Sequence, residues 1–235
     1  MIDFEALFKI SYGLYIVSSG NAENGNGFIS NTVFQVTAEP IQFAACCHKD
    51  NYTAEIIQKT GAFSVSILHD DTPPEIIGRF GYNSGRKMNK MESMDLMYGK
   101  TGVPIVLNAS IAFLECDVVQ TIDVGTHYMF IGELVQSEMI SDKIEPLTYA
   151  HYRKYRKGRA PKNAPTYLSD SKLETIPQEA SFKRFKCTAC GHIYDERLGA
   201  PSQNIEPETL FKNLPDDWQC PVCGVGKEFF EDEKG

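Results

Sequence analysis

The chain has 235 residues, 42% hydrophobic and 23% charged, enough apolar material for a packed core and unlike a disordered or collagen-like polymer. Thirty-one acidic against 23 basic side chains give a net charge of −8, so nucleic acid is not an expected partner. No apolar run approaches the roughly 18 residues a spanning helix needs, and Met1-Ile2-Asp3-Phe4-Glu5 is acidic where a secretory signal is basic. A soluble, cytoplasmic chain without membrane contact is expected.

The first 150 residues read mainly as β-structure. Residues 12–18, 27–37, 41–47 and 63–68 are short runs rich in β-branched and aromatic side chains, separated by Gly, Asn and Pro. Residues 110–121 and 126–138 are longer, and Ile122-Asp123-Val124-Gly125 between them suits an antiparallel hairpin. Residues 51–61 read as a helix, with Asn51 or Thr53 as N-cap and Gly61 after its end. Many short strands with few helices predict a closed or split antiparallel barrel.

Met88, Met91, Met94 and Met97 recur every third residue. That spacing fans across a helix instead of lining one face, so an apolar flap or packing surface is the plain reading and a partner groove the alternative. Arg153, Lys154, Arg156, Lys157, Arg159 and Lys162 place six bases in ten residues with no acid. They form either a solvated face or an electrostatic receptor for a phosphate-bearing ligand or acidic partner. Residues 168–181 turn polar around Pro177 and are expected to be a linker. Fourteen flexible residues have an r.m.s. span of roughly 20 Å.

Cys46, Cys47 and Cys116 are scattered among apolar neighbours, whereas Cys187, Cys190, Cys220 and Cys223 form two C-x-x-C pairs. Paired spacing within an odd total argues for metal ligation in a reducing compartment. Four thiolates wrap one zinc or iron ion as a closed tetrahedron, and such a cage would fold a terminal piece too small to be stable on its core alone. Zinc ribbons usually separate their pairs by about 15–20 residues; here 29 residues lie between Cys190 and Cys220.

Lys186-Cys187-Thr188-Ala189-Cys190-Gly191-His192-Ile193-Tyr194-Asp195 resembles the opening motif of rubredoxins, and residues 214–224, LPDDWQCPVCG, resemble the closing one. Lys227 and Phe230 also fall where that family has them. The resemblance implies a rubredoxin domain over residues 182–235, with Cys187, Cys190, Cys220 and Cys223 holding one iron that cycles between Fe2+ and Fe3+. Seven bases and ten acids in that stretch give −3, so docking onto the six-base segment is an economical expectation.

A one-electron carrier needs a source, and a flavin joins a two-electron donor to one-electron iron. No G-x-G-x-x-G occurs: Gly25-Asn26-Gly27 lacks the third glycine, so a Rossmann domain is unsupported. Residues 13–18, then 26–37 with Pro40, then Lys49-Asp50-Asn51-Tyr52-Thr53, then 80–86 with Lys90, and finally Gly125-Thr126-His127 with Gly132-Glu133 resemble the flavin reductase-like proteins of the FMN-binding split-barrel class. The match is expected to run from about Phe8 to Tyr167, within a domain over residues 1–167, with Lys87 standing where that family commonly has an acid.

This resemblance implies FMN contacts from Asn26, Asn31, Thr32, Cys47, Asn51, Thr53, Ser84, Gly85, Arg86 and Lys90, and His127 as the catalytic group that positions a nicotinamide. Residues 146–149 and 162–167 resemble the family's C-terminal segment, implying groups over the flavin or along a dimer boundary. The domain order is similar to that of the high-molecular-weight rubredoxins of anaerobes. It implies a homodimeric oxidoreductase passing electrons from NAD(P)H through FMN to iron, then to a flavodiiron protein that reduces oxygen or nitric oxide. Three other readings stay open: an electron carrier reduced by another protein, a reductase that releases reduced FMN, and a zinc-binding adaptor.

Overall fold

The computed structural model describes residues 2–156, 158–173 and 182–233. The chain divides into two compact units, Met1–Ile176 and Pro177–Gly235. In the first, β1 (Tyr15–Ser19), β2 (Asn26–Ser30), β3 (Val33–Ala38), β4 (Ile41–His48), α1 (Tyr52–Thr60), β5 (Ala62–Leu68), α2 (Pro74–Ile77), β6 (Leu96–Tyr98), β7 (Pro104–Val106), β8 (Ser110–Asp123), β9 (His127–Met139), α3 (Tyr149–Arg156) and α4 (Asp170–Leu173) follow in order. Of the expected linker, residues 174–181 lie outside the described residues, and α4 occupies part of the rest.

Seven strands make one antiparallel sheet in the order β2-β1-β5-β8-β9-β4-β3. Its two edge strands, β2 and β3, are joined by only Asn31-Thr32, so the sheet curls until its edges meet as a split barrel. The sequence reads 27–37 as one run, but the structure breaks it there. Ser30 Oγ accepts the Thr32 amide at 3.2 Å, and Thr32 O accepts the Cys46 amide at 3.2 Å, which turns the chain out of β2.

Alternation along β1 divides the core in two. Val17 faces the barrel interior with Phe28, Ala45, Cys47, Phe63, Cys116 and Phe130, closed by Ala54 and Ile57 of α1. Leu14 and Ile16 pack on the other side with Leu68, Ile77, Phe80, Met91 and Leu147. Met91 is buried and Met94 packs against that second cluster, so these two supply packing from a stretch without helix, while Met97 lies in β6. α1 is capped as its sequence predicts: Asn51 Oδ1 accepts the Thr53 amide at 3.0 Å, and the helix ends at Gly61 in the left-handed region, φ 73°.

The basic segment is partly structural. Arg153 stacks on Phe8, 3.2 Å from the ring centroid, and Arg156 donates to the carbonyls of Asp70 and Thr72. Those two guanidiniums hold α3 to the unit, while Lys157 lies outside the described residues.

The second unit holds β10 (Arg184–Cys187), β11 (Ile193–Asp195) and β12 (Phe230–Asp232), paired in the order β11-β10-β12. Tyr194, Leu214, Trp218 and Phe230 are buried around Phe185 and Phe211, whose rings stack at 4.2 Å. The Glu196 carboxylate, 4% exposed, accepts the amides of Lys183 and Phe211, each at 2.7 Å, and fastens the long connection to the sheet. Among the described residues no helix is long and apolar enough to cross a membrane.

Candidate functional site

In the C-terminal unit the four paired cysteines converge. Their Sγ atoms lie within 4.8 Å of one another, with Cys187–Cys223 and Cys190–Cys220 both at 3.7 Å. Metal–sulfur bonds of about 2.3 Å in a tetrahedron require edges of about 3.8 Å, so the cage has the size of one metal ion. Each C-x-x-C loop closes through glycine at positive φ, Gly191 at 79° and Gly224 at 75°, a conformation that L side chains rarely adopt. Backbone amides of Ala189 and Cys190 reach the Cys187 sulfur, that of His192 reaches Cys190, and that of Val225 reaches Cys223. Such contacts stabilise thiolates and set the potential of an iron centre. Cys187 and Cys220 are buried while Cys190 and Cys223 are exposed, so the cage has one face toward solvent.

The N-terminal unit carries a cavity of about 460 Å³ between the β2–β3 crossover, the start of α1, the turn after α2 and residues 161–165. Its size lies within the ordinary range for a cofactor site. Phe28, Ile29 and Phe80 supply apolar wall; Asn31, Cys46, His48, Asp50, Asn51, Ser84 and Lys90 supply polar atoms. A strap over residues 158–167 is tied down at three points. Asn31 Nδ2 donates to Thr166 Oγ1 at 2.8 Å, Tyr82 OH donates to Arg159 O at 2.6 Å, and His127 Nε2 donates to Asn163 O at 3.1 Å.

Lys90 is the main electrostatic feature. It is 2% exposed, its Nζ donates to Gly27 O at 3.0 Å and Phe80 O at 3.2 Å, and burial pulls its pKa down to about 8. No carboxylate is paired with it among the described residues. A buried cation held only by carbonyls is incomplete without an anionic group, and a cavity of this size with that cation on its wall fits a flavin carrying a phosphate.

Of the residues the sequence nominates, Asn31, Asn51, Ser84 and Lys90 line the cavity. Asn26 and Thr53 stand one layer behind, where the Thr53 hydroxyl donates to Asn26 Oδ1 at 3.2 Å and the Gly27 amide donates to the same oxygen at 2.8 Å. Gly85 abuts that layer: a Cβ there would come 1.8 Å from Asn26 Nδ2. Thr32 contributes its carbonyl to β4 and does not line the wall. Arg86 does not reach the cavity either; it is ion-paired with Glu55 and lies over the Tyr52 ring at 4.9 Å, fastening its loop to α1.

Cys47 and His127 stand apart from the cavity wall. Cys47 is 1% exposed in the barrel core, where burial drives its thiol far above the ordinary range, and Cys46 takes the place on the cavity wall. Strand alternation forces this choice: Cys46 and His48 share one face of β4, Ala45 and Cys47 the other. His127 likewise lies behind the wall. Its ring stands edge-to-face with His48 at 4.8 Å, Thr126 Oγ1 lies 2.8 Å from Nδ1, and burial lowers its pKa. Cys46, His48 and Tyr82 line the wall without being among the contacts the resemblance implies, and residues 162–165, within the segment expected near the site, line it too.

Residues 7–159 match the flavin reductase like domain family, and residues 184–230 match the rubredoxin family. A protein named high molecular weight rubredoxin from Moorella thermoacetica is 37% identical over 98% of this chain and 99% of its own length. A ferric-chelate reductase (NAD(P)H) from Archaeoglobus fulgidus is 46% identical over 71% of this chain and 98% of its own. The solved NADH:FAD oxidoreductase SgcE6 of Streptomyces globisporus superposes with a TM-score of 0.56 at 20% identity, covering 62% of this chain and 86% of that one. That last likeness bears on the fold alone.

Proposed function

The chain belongs to the flavin reductase-like family in its rubredoxin-fused form, the high-molecular-weight rubredoxins, and we propose that it oxidises NAD(P)H at a bound FMN and delivers the electrons singly to its own iron centre. It is an oxidoreductase of electron transfer whose cofactors are FMN and one iron ion. The observation that carries the proposal is the presence, in one polypeptide, of a flavin-sized cavity with an unpaired buried cation and a closed four-sulfur cage. FMN, when bound, takes a hydride and gives electrons up one at a time, which is the chemistry that joins a nicotinamide to one-electron iron. The similarity to a ferric-chelate reductase (NAD(P)H) supports the choice of donor.

The residues divide the work. Lys90 supplies the buried positive charge that an anionic cofactor completes. Asn51 and Tyr52 bring the amino end of α1 to the cavity, where the helix dipole favours a phosphate. Asn26, Thr53 and Gly85 form the layer that holds these groups in place. Arg86 anchors the loop that carries Ser84 and Gly85 through Glu55. Phe28, Ile29 and Phe80 supply the apolar wall that would hold the flavin ring. His127 is a positioning residue, through Asn163 and His48, and not a catalytic one. At the iron centre, Cys190 and Cys223 present sulfur to the surface and give the electron its exit.

In this proposal the domain over 182–235 takes electrons from the flavin and passes them to a redox partner. A flavodiiron protein is the partner proposed, and a homodimer the working assembly. Steady-state NADH oxidation by the purified protein with an artificial acceptor tests the reading. Turnover with flavin retained through gel filtration supports it. Lack of turnover would mean a carrier reduced by another protein, and loss of flavin would mean a reductase that releases its product.

A further inference from the structure

Two histidines meet beside the cavity, and their ring nitrogens are not equally occupied. His127 has none left for a ligand. Its Nε2 faces the Asn163 carbonyl, an acceptor only, so Nε2 carries the proton; in the neutral ring Nδ1 then accepts the Thr126 hydroxyl at 2.8 Å. His48 is different. Its Nδ1 accepts the Asp50 amide at 3.1 Å, which puts the proton of its neutral ring on Nε2. That Nε2 has no protein partner among the described residues, and the side chain lines the cavity with 19% of its surface exposed.

The orientation of His48 is over-determined. β4 sends it to the cavity face with Cys46, two residues earlier. The chain turns immediately afterwards into the Asn51 cap of α1, which fixes the Asp50 amide under Nδ1. On the remaining side the His127 ring stands edge-to-face at 82°, and His127 is itself pinned to the strap. A polar ring held from three sides, with one N–H left toward a cavity, is built to donate a hydrogen bond.

We propose that His48 is a ligand-contacting residue that donates its Nε2–H to a carbonyl or phosphoryl oxygen of the cofactor pair, FMN or NAD(P)H, with His127 as the residue that holds it. The inference rests on the functional reading above for the identity of the ligands. Three full-length proteins test it: wild type, His48→Phe and His48→Gln, the last retaining an N–H near the Nε2 position. Each is stripped of flavin and titrated with FMN by fluorescence quenching, and each holoprotein is assayed for kcat and KM with NADH.

Loss of one hydrogen bond worth about 1 kcal/mol corresponds to roughly a five-fold change. If the acceptor is on FMN, His48→Phe weakens FMN binding by that factor and His48→Gln restores most of it. If it is on the nicotinamide donor, KM for NADH rises instead at unchanged kcat, again with rescue by glutamine. The proposal is overturned if neither constant moves, or if His48→Gln is as impaired as His48→Phe. Should the wild type oxidise no NADH, the functional reading fails, while the FMN titration still judges His48 on its own.

Discussion

Lys90→Met is expected to remove a pH dependence of stability from the flavin-free protein. Burial holds the Lys90 ammonium at about 8 in the folded chain against an ordinary 10.5. Between those values the unfolded chain binds a proton that the folded chain has released, so stability rises with pH through this window. The burial penalty is fully present below pH 8 and gone above 10.5. Each pH unit inside the window is worth about 1.4 kcal/mol, so moving from pH 7 to pH 9.5 relieves about 2 kcal/mol at this group. Buried Tyr15 and Tyr149, with raised pKa values, also titrate on the alkaline side, but they are common to both proteins and cancel in the difference. Urea unfolding of the deflavinated proteins, followed by far-UV circular dichroism, measures it. Trp218 is the only tryptophan and lies in the C-terminal unit, so its fluorescence follows the wrong domain. Wild type should gain about 2 kcal/mol on Lys90→Met between the two pH values, and saturating FMN should suppress the gain by pairing the cation. A difference that stays flat across this range refutes the argument that Lys90 is an uncompensated buried charge.

Three further substitutions probe separate parts. Cys220→Ser opens the metal cage and should abolish iron loading while leaving flavin reduction by NADH largely intact, as read by metal analysis and stopped-flow absorbance; arrested flavin reduction would contradict the electron order. Gly85→Ala drives a Cβ into the hydrogen-bonded Asn26 and should cost about 1–3 kcal/mol of stability with weaker FMN binding, so wild-type behaviour in both would show that the layer yields. His127→Ala frees the Asn163 carbonyl and should weaken FMN retention by roughly five-fold, the equivalent of one hydrogen bond of about 1 kcal/mol. An unchanged FMN titration curve would mean that the strap does not depend on that tie.

The metal cage was legible because its ligands lie in two local motifs whose spacing carries the chemistry, and the structure merely brings the two loops together. The barrel strands were legible from β-branched and aromatic runs bounded by Gly, Asn and Pro, and α1 from its cap and terminal glycine. The choice between Cys46 and Cys47 needed the phase of β4, which its pairing with β9 fixes, Cys46 opposite Met129 and Cys47 opposite Tyr128. One clue was present: His48 is the polar residue of the strand end, and the residue two before it shares its face. The surroundings of Arg86 and His127 are hidden for a different reason. Their partners, Glu55 and Asn163, lie 31 and 36 residues away in sequence, and no local pattern announces a partner at that distance. The break of the 27–37 run at Asn31-Thr32 was likewise hidden, since a serine–threonine turn inside an apolar run scores as strand until the sheet has to close.

The central claim is that NADH, FMN and iron form one chain of electron transfer within this polypeptide. An anaerobic titration of the purified protein with NADH, followed by visible absorption, tests it most directly. The account predicts that the flavin and ferric-thiolate bands both bleach. A protein holding both cofactors that stays coloured with NADH yet bleaches fully with dithionite would contradict it, and would make this chain a carrier waiting for a separate reductase.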